Sequence, residues 1–252
     1  MKTIAKMIIV IFLLGTGTLL MPGKVQALDW YSYQIFYNDL SPYGTWVDRP
    51  DYGYVWVPDA GQGFSPYGTS GYWVYTVYGW IWVSDYRWGW APFHYGRWYY
   101  DDWYGWAWIP GTEWGPGWVT WGRCEGYYGW APLAPGFNVA MSFGWNMHIP
   151  AHHWCFVPER YFGRHDMHHH YVNRRDNEWM YRHSFFIGNS GVDPQTNTRY
   201  YSGPDVKAVS KATGRDFKPA DVHTRTEPGQ SYSDGKLQTY RPCVRETASK
   251  DN

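Results

Sequence analysis

Large aliphatic side chains are scarce in this sequence. From Leu28 onward there are only four leucines and five isoleucines, whereas the whole chain has 19 tryptophans, 24 tyrosines and 11 phenylalanines. A domain of this size needs an apolar core, and the aliphatic residues are too few to fill it. We therefore expect most aromatic side chains to be structural, since Trp and Tyr bury a large area and also carry a polar group.

Cysteine is also scarce, and neither sign of charge dominates. The three cysteines, Cys124, Cys155 and Cys243, are too few for a disulfide-built scaffold, and their odd number leaves a thiol over. Cys124 with Cys155 is the pair expected in an oxidising compartment. The 22 basic and 22 acidic residues balance. We expect no nucleic-acid partner, because such binding requires a basic face.

Motifs of catalysis are missing as well. The sequence has no His-Glu-x-x-His zinc motif. The string Gly-Asn-Ser-Gly at residues 188–191 is not the Gly-x-Ser-x-Gly nucleophile elbow. Cysteines, histidines and carboxylates are present, but no motif combines them into a hydrolase. The sequence therefore predicts a protein that is not an enzyme and that has no cofactor.

A long apolar run occurs only at the N-terminus. Two lysines and an apolar stretch over residues 7–21 precede Val-Gln-Ala at residues 25–27, the small-x-small pattern that signal peptidases cleave. The run is short for a membrane span and is interrupted by glycine. We expect residues 1–27 to be a signal peptide cleaved after Ala27. The mature protein would then lie in the periplasm or at the cell surface, with no transmembrane segment.

Aromatic residues recur at a fixed step. Similar Tyr-Gly-aromatic-x-Trp strings begin at Tyr52, Tyr78 and Tyr104, 26 residues apart, and a truncated copy begins at Tyr128. The strand before each string follows the same step, at Trp46, Tyr72 and Trp98. Such self-similarity is typical of repeat architectures. Because Val, Ile, Tyr and Trp favour strands and Gly, Pro and Asp interrupt them, each unit is predicted to be an antiparallel hairpin.

These repeats predict a mainly all-β fold over residues 28–136, arranged as a sandwich, a barrel or a propeller-like array. Trp56, Trp82 and Trp108 should occupy equivalent positions in successive hairpins. Both faces of the strands are apolar, so either both faces are covered or one is a binding platform. No helix is expected between residues 29 and 135, because glycine and proline recur too often there.

Several strings in this region resemble a known family. Residues 36–46, Phe-Tyr-Asn-Asp-Leu-Ser-Pro-Tyr-Gly-Thr-Trp, are similar to the opening of an exported bacterial family catalogued as domain of unknown function 6600. Residues 88–98 and 110–114 resemble the same family. The resemblance covers about residues 32–158, with a weaker echo over 203–242. It implies export and a non-catalytic role, and it implies no activity because the family has no established one.

Residues 137–202 form a connecting segment rich in histidine and arginine. The histidines that could bind a divalent metal are His165, His168, His169 and His170. Their His-x-x-His spacing offers nitrogen ligands, and Asp166 and Cys155 are near in sequence, but two separated ligand pairs are lacking. The alternative is a polar, solvated connector whose histidines coordinate nothing.

Residues 203–252 are predicted to be a small α+β segment. A helix is expected over residues 204–213, because proline suits the first helical position and Gly214 stops the helix. Two strands should follow, near residues 220–226 and 236–240.

Two classes of function remain. The first is a non-catalytic cell-envelope module that binds an envelope glycan or an envelope protein. The turn residues expected to reach solvent and form its site are Trp88, Trp90, Trp114 and Trp118, with His94 and Arg97 as polar neighbours. The second class is a structural spacer in which every aromatic row is buried. An exposed row of tryptophans would favour the first. A divalent-metal-binding envelope protein ranks third, and a cell-wall hydrolase last.

Overall fold

The computed structural model describes residues 30–137, 139 and 149–244. The expected signal peptide (residues 1–27) and its cleavage site after Ala27 lie outside these residues. Within the described part the chain is mainly β, as predicted, with 15 strands. None of the helices in that part is long and apolar enough to cross a membrane.

Four consecutive antiparallel hairpins form residues 44–132. Their strands are β1 (Gly44–Arg49) with β2 (Gly53–Pro58), β3 (Gly71–Thr76) with β4 (Gly79–Ser84), β5 (Arg97–Asp101) with β6 (Gly105–Ile109), and β7 (Val119–Cys124) with β8 (Tyr127–Pro132). β-branched and aromatic residues fill these strands and glycine or proline ends most of them, which is the pattern that favours hairpins.

Each hairpin pairs one tryptophan with another across its two strands. The pairs are Trp46 with Trp56, Trp73 with Trp82, Trp98 with Trp108, and Trp121 with Trp130. The expected equivalence of Tyr72 with Trp46 and Trp98 is wrong, because Tyr72 faces Val83. The connection between β3 and β4 has two residues, one fewer than in the hairpins on either side. One residue of difference changes the register, and thus the side chain that faces the partner tryptophan.

The hairpins are distributed over three sheets rather than closed into a barrel. The first and third hairpins share a sheet in the order β1-β2-β6-β5, and the second hairpin forms a two-stranded sheet. The fourth hairpin is flanked by two strands from the predicted connecting segment, in the order β10-β7-β8-β9. These are β9 (Cys155–Pro158) and β10 (Phe185–Phe186). The His/Arg-rich segment therefore completes a sheet of the aromatic region.

A helix, α1 (Trp30–Leu40), precedes the first hairpin, so the expectation of no helix before residue 135 is wrong. Glycine and proline, the basis of that expectation, are both absent from these 11 residues, and Pro42 follows the helix. Phe36 and Leu40, one turn apart, are both fully buried. The helix is thus held by packing of one face.

The C-terminal part is α+β, as predicted. β11 (Ser190–Val192) pairs with β12 (Arg199–Tyr201), and α3 (Val206–Thr213) follows. The Asp205 side chain caps α3 by accepting from the Ala208 amide at 2.9 Å, and Gly214 ends it with φ +67°. β13 (Asp221–Arg225), β14 (Gln230–Ser233) and β15 (Lys236–Tyr240) form a sheet, of which β14 was not predicted.

Short helical segments complete the fold. α2 (Asn177–Arg182) lies in the His/Arg-rich segment. The 3-10 segments are Ser41–Tyr43, Ala151–His153, Glu159–Tyr161 and Met167–His170.

The core is built from tryptophan, as the shortage of aliphatic residues predicts. One cluster of buried side chains includes both tryptophans of three of the four cross-strand pairs, and Trp56 of the first. Several buried indoles also donate a hydrogen bond to a distant backbone carbonyl, for example Trp108 to Tyr95 at 2.7 Å and Trp130 to Tyr67 at 2.8 Å. The opposite face of the first sheet has a separate small cluster around Val55, Ala107 and Ile109. Both faces of that sheet therefore contain buried apolar side chains.

Candidate functional site

The four turn tryptophans predicted to form a binding platform are buried. Trp88 is 5% exposed, and Trp90, Trp114 and Trp118 are each 1% exposed, so their expected exposure is wrong. Their turns fold back onto the hairpins, and later parts of the chain cover Trp90 and Trp114. The Tyr240 ring of β15, for instance, packs 4.8 Å from the Trp90 ring. A ring with no free face cannot stack on a ligand.

His94, predicted as a polar neighbour of the platform, is fully buried as well. Its Nδ1 donates to the Gly115 carbonyl at 2.9 Å, and its Nε2 accepts from Gln230 Nε2 at 2.9 Å. Gln230 also donates to the Trp82 carbonyl at 3.2 Å. Burial lowers the pKa of His94 to about 4. The imidazole is therefore neutral at pH 7 and joins β14 to the hairpins.

Arg97, the second predicted neighbour, holds a buried ring in place. Its guanidinium carbon lies 3.5 Å from the centre of the Trp118 ring, and Nη2 lies 3.5 Å from Glu113 Oε2. Nη1 donates to the Gly96 carbonyl at 2.8 Å. Burial lowers the pKa of Arg97 to about 10, which still leaves it charged at pH 7. The Arg97 guanidinium, which was expected to orient a ligand, is thus engaged in a cation–π contact with Trp118.

The four histidines predicted as metal ligands do not converge as a set. His165 Nε2 lies 3.5 Å from Asp85 Oδ1, whereas the His170 ring stacks on Tyr161 at 3.6 Å. The His168 and His169 rings lie 4.0 Å apart and form a pair by themselves. No group of three His, Cys, Asp or Glu side chains that could hold a metal occurs among the described residues.

Cys124 and Cys155 are free, so the predicted disulfide is wrong. Cys124 lies opposite Tyr127 and Cys155 lies opposite Trp130, on either side of β8. Two strand spacings and three residues along β8 separate them, which is about 14 Å. A disulfide requires the two Cα atoms to lie within about 7 Å.

The most exposed tryptophan with a described side chain lies elsewhere, at the tip of the third hairpin. Trp103 is 86% exposed, and Tyr100 and Tyr104 beside it are 49% and 39% exposed. These three residues are called the hairpin-tip cluster below. Exposed aromatic residues grouped in this way are unusual on a soluble surface and typically mark a contact site.

The loop that carries the cluster is fixed by one carboxylate. Asp101 Oδ1 accepts hydrogen bonds from the backbone amides of Trp103 at 2.9 Å and Tyr104 at 3.0 Å. Its Oδ2 lies 3.1 Å from Arg49 Nη2, which ties the loop to the end of β1. The hydrogen bonds from the backbone amides of Tyr104 and Trp103 lower the pKa of Asp101. Gly105 closes the turn at φ +74°, a conformation that costs little only for glycine.

The base of the cluster is a packed set of rings. Tyr100 packs edge-on against Trp106 at 5.6 Å and lies 5.5 Å from the His153 ring. His153 also lies 4.6 Å from Trp106. Burial lowers the pKa of His153 to about 4, so its ring is neutral at pH 7. The Tyr100 ring therefore packs on uncharged rings.

Sequence reasoning missed this cluster, although a signal was present. The string Asp-Asp-Trp-Tyr-Gly at residues 101–105 combines an Asp that can cap a turn with a glycine that can close it. Aromatic residues inside such a loop cannot reach the core of their own hairpin, which predicts exposure.

Comparison with known proteins gives one match. Residues 37–137 match a family of unknown function, DUF6600, which confirms the resemblance over that segment. The match ends before β9 and does not include residues 203–242. No curated protein and no solved structure was found to match the chain.

Proposed function

We propose that this protein is a non-catalytic binding module of the cell envelope that holds an envelope glycan through the hairpin-tip cluster. The observation that carries the proposal is Trp103, whose ring is 86% exposed on a loop fixed by Asp101. The export that this function requires is itself part of the proposal, and it rests on the N-terminal sequence pattern.

A glycan suits the chemistry of this surface. Sugar rings present C–H faces that can cover an indole and remove its apolar area from water. The hydroxyl groups of Tyr100 and Tyr104 and the exposed Asp102 carboxylate offer hydrogen-bond partners at the rim of the cluster. Because Asp101 fixes the loop before binding, little conformational entropy is lost when a ligand orders the ring.

The state of the nucleophile candidates supports the non-catalytic part of the proposal. Burial raises the pKa of the Cys155 thiol to about 12, and burial also raises the pKa of Cys124. A reactive cysteine needs a lowered pKa and access to solvent. Both ring nitrogens of His94 are occupied by hydrogen bonds, so it cannot serve as a base.

The test is co-sedimentation of the mature protein with purified peptidoglycan and with envelope polysaccharide. Trp103→Ala should weaken binding roughly 30-fold, since truncating a central tryptophan costs about 2 kcal/mol. Trp179→Ala is the control, because Trp179 is also exposed, at 58%, but lies on α2. If neither polymer retains the parent protein, the glycan proposal fails and the structural spacer is favoured. Sequencing of the N-terminus in the envelope fraction should find Leu28, and an intact Met1 would contradict cleavage.

A further inference from the structure

A cleft of about 490 Å³ lies on a part of the protein to which no role has been assigned. Its walls come from the loop before β3, the end of β4, the start of β9 and the residues after the 3-10 segment Met167–His170. Clefts of this size hold small ligands in other proteins. Of the four histidines predicted as metal ligands, His168 lines it.

One buried polar group in the cleft has no partner. The Tyr171 hydroxyl is buried and makes no hydrogen bond to any described residue. A buried hydroxyl without a partner costs free energy, so native structures rarely keep one unless a ligand or water completes it. Tyr171, a residue of the cleft lining, therefore carries a buried donor that has no partner among the described residues.

The charged groups of the cleft are available too. Arg174 forms no ion pair with any residue in the described ranges, although it lines the cleft. Asp85 also lines it, and within the described ranges the one charged side chain paired with its carboxylate is His165, at 3.5 Å. A free guanidinium favours a carboxylate or phosphate, which it can bind with two parallel hydrogen bonds. A carboxylate in the same cleft favours hydroxyl donors.

The remaining lining combines apolar and hydroxyl-bearing residues. Trp154 and Val172 supply apolar wall, and Ser65 and Ser70 supply hydroxyl groups. A cation, an anion, hydroxyls and an aromatic wall in one cleft match a ligand that has an acidic group, several hydroxyls and an apolar ring face. A phosphate ester would be repelled by the Asp85 carboxylate more strongly than a singly charged carboxylate would be, since it carries close to two charges.

We propose that this cleft binds a sugar residue that carries a carboxylate. The carboxylate pairs with Arg174, the sugar hydroxyls donate to Asp85, and a ring or hydroxyl oxygen accepts from Tyr171. The site shares no residue with the hairpin-tip cluster, so each proposal can fail without the other.

The experiment is isothermal titration of the mature protein with D-glucuronate and, as the neutral counterpart, D-glucose. Glucuronate should bind at least tenfold more tightly than glucose. Arg174→Gln should remove that preference, whereas Arg175→Gln should keep it, because Arg175 is an exposed neighbour that does not line the cleft. Tyr171→Phe should weaken both sugars by about tenfold without loss of stability, since it deletes only an unpartnered hydroxyl.

Several results would overturn this assignment. They are the absence of heat at about 10 mM glucuronate, equal affinity for the two sugars, and an unchanged preference in Arg174→Gln. Trp103→Ala should leave glucuronate binding intact. If Trp103→Ala abolishes it instead, the sugar is bound at the hairpin tip and the cleft is not its site.

Discussion

Buried tryptophans in this protein act through both the ring and the indole N–H. Trp108 is fully buried and donates to the Tyr95 carbonyl at 2.7 Å, thereby connecting β6 to the turn before β5. Trp82 is equally buried, but its N–H has no hydrogen-bond partner among the described residues. Similar burial with different hydrogen bonding makes the two residues a natural pair for comparison.

We predict that Trp108→Phe destabilises the fold more than Trp82→Phe does. Both changes leave a cavity, but only the first leaves a buried carbonyl without its donor, which costs about 1–2 kcal/mol. Denaturant unfolding followed by circular dichroism measures the difference. Equal losses for the two variants would mean that the indole hydrogen bond adds nothing to stability.

A second prediction at this scale concerns pH. The pKa of His94 is about 4 in the folded state, against 6.5 for an ordinary histidine, so the unfolded chain binds a proton first as pH falls. Stability should therefore rise with pH between about 4 and 6.5 and be unaffected by this group above that window. Across this pH window, His94 should change the free energy of unfolding by about 3 kcal/mol.

Unfolding in guanidinium at several pH values, for the parent and for His94→Asn, isolates this contribution. The variant should be less stable at pH 7 and should lack part of the acid sensitivity of the parent. If the free energy of unfolding changes equally with pH in the two proteins between about pH 6.5 and 4, the role of neutral His94 is contradicted.

At the scale of the element, the tip of the third hairpin depends on Asp101. Asp101→Ala removes the acceptor of the Trp103 and Tyr104 amides, while Asp102→Ala leaves those bonds in place. We expect hydrogen exchange of the two amides to accelerate about tenfold in Asp101→Ala alone. The affinity of Asp101→Ala for the glycan should also fall, although its Trp103 side chain is unchanged. A variant whose amides exchange at the parental rate would show that the loop is ordered by other contacts.

Local signals explain which elements the sequence could predict. The hairpins and α3 follow from side-chain alternation, turn residues and the Gly214 stop, all of which act within a few residues. α1 was missed because its support is the packing of Phe36 and Leu40 against distant rings. Phe36, for example, lies 5.2 Å from the Trp108 ring. The β3–β4 register was missed because a loop shorter by one residue has almost no sequence signature.

At the scale of the whole molecule, the C-terminal residues cover some of the aromatic side chains of the hairpin region. Gln230 of β14 bonds to His94, Tyr240 of β15 covers Trp90, and Arg241 lies 4.1 Å from the centre of the Trp114 ring. Each of these partners is more than 120 residues away in sequence from the ring that it contacts. Trp90 and Trp114 of the predicted platform are buried for this reason, because later chain segments cover them although turn position favours exposure. Trp88 and Trp118 are buried against nearer residues, such as Phe93 and Arg97.

The Arg241–Asp193 pair anchors this C-terminal cover, and it provides the last prediction. The Asp193 side chain is fully buried and the Arg241 side chain is 9% exposed. Arg241→Met should cost about 3–5 kcal/mol, because it leaves a buried carboxylate without its cation.

Asp193→Asn combined with Arg241→Met should recover at least half of that loss, since no buried charge is left unpaired. Thr196, which donates to Asp193 Oδ2 at 2.6 Å, can still donate to the asparagine oxygen. Urea unfolding followed by tryptophan emission is the measurement, because exposure of Trp114 shifts the spectrum to longer wavelength. If the double variant is no more stable than the single one, the loss comes from packing of Arg241 on Trp114, and the ion pair is not the anchor.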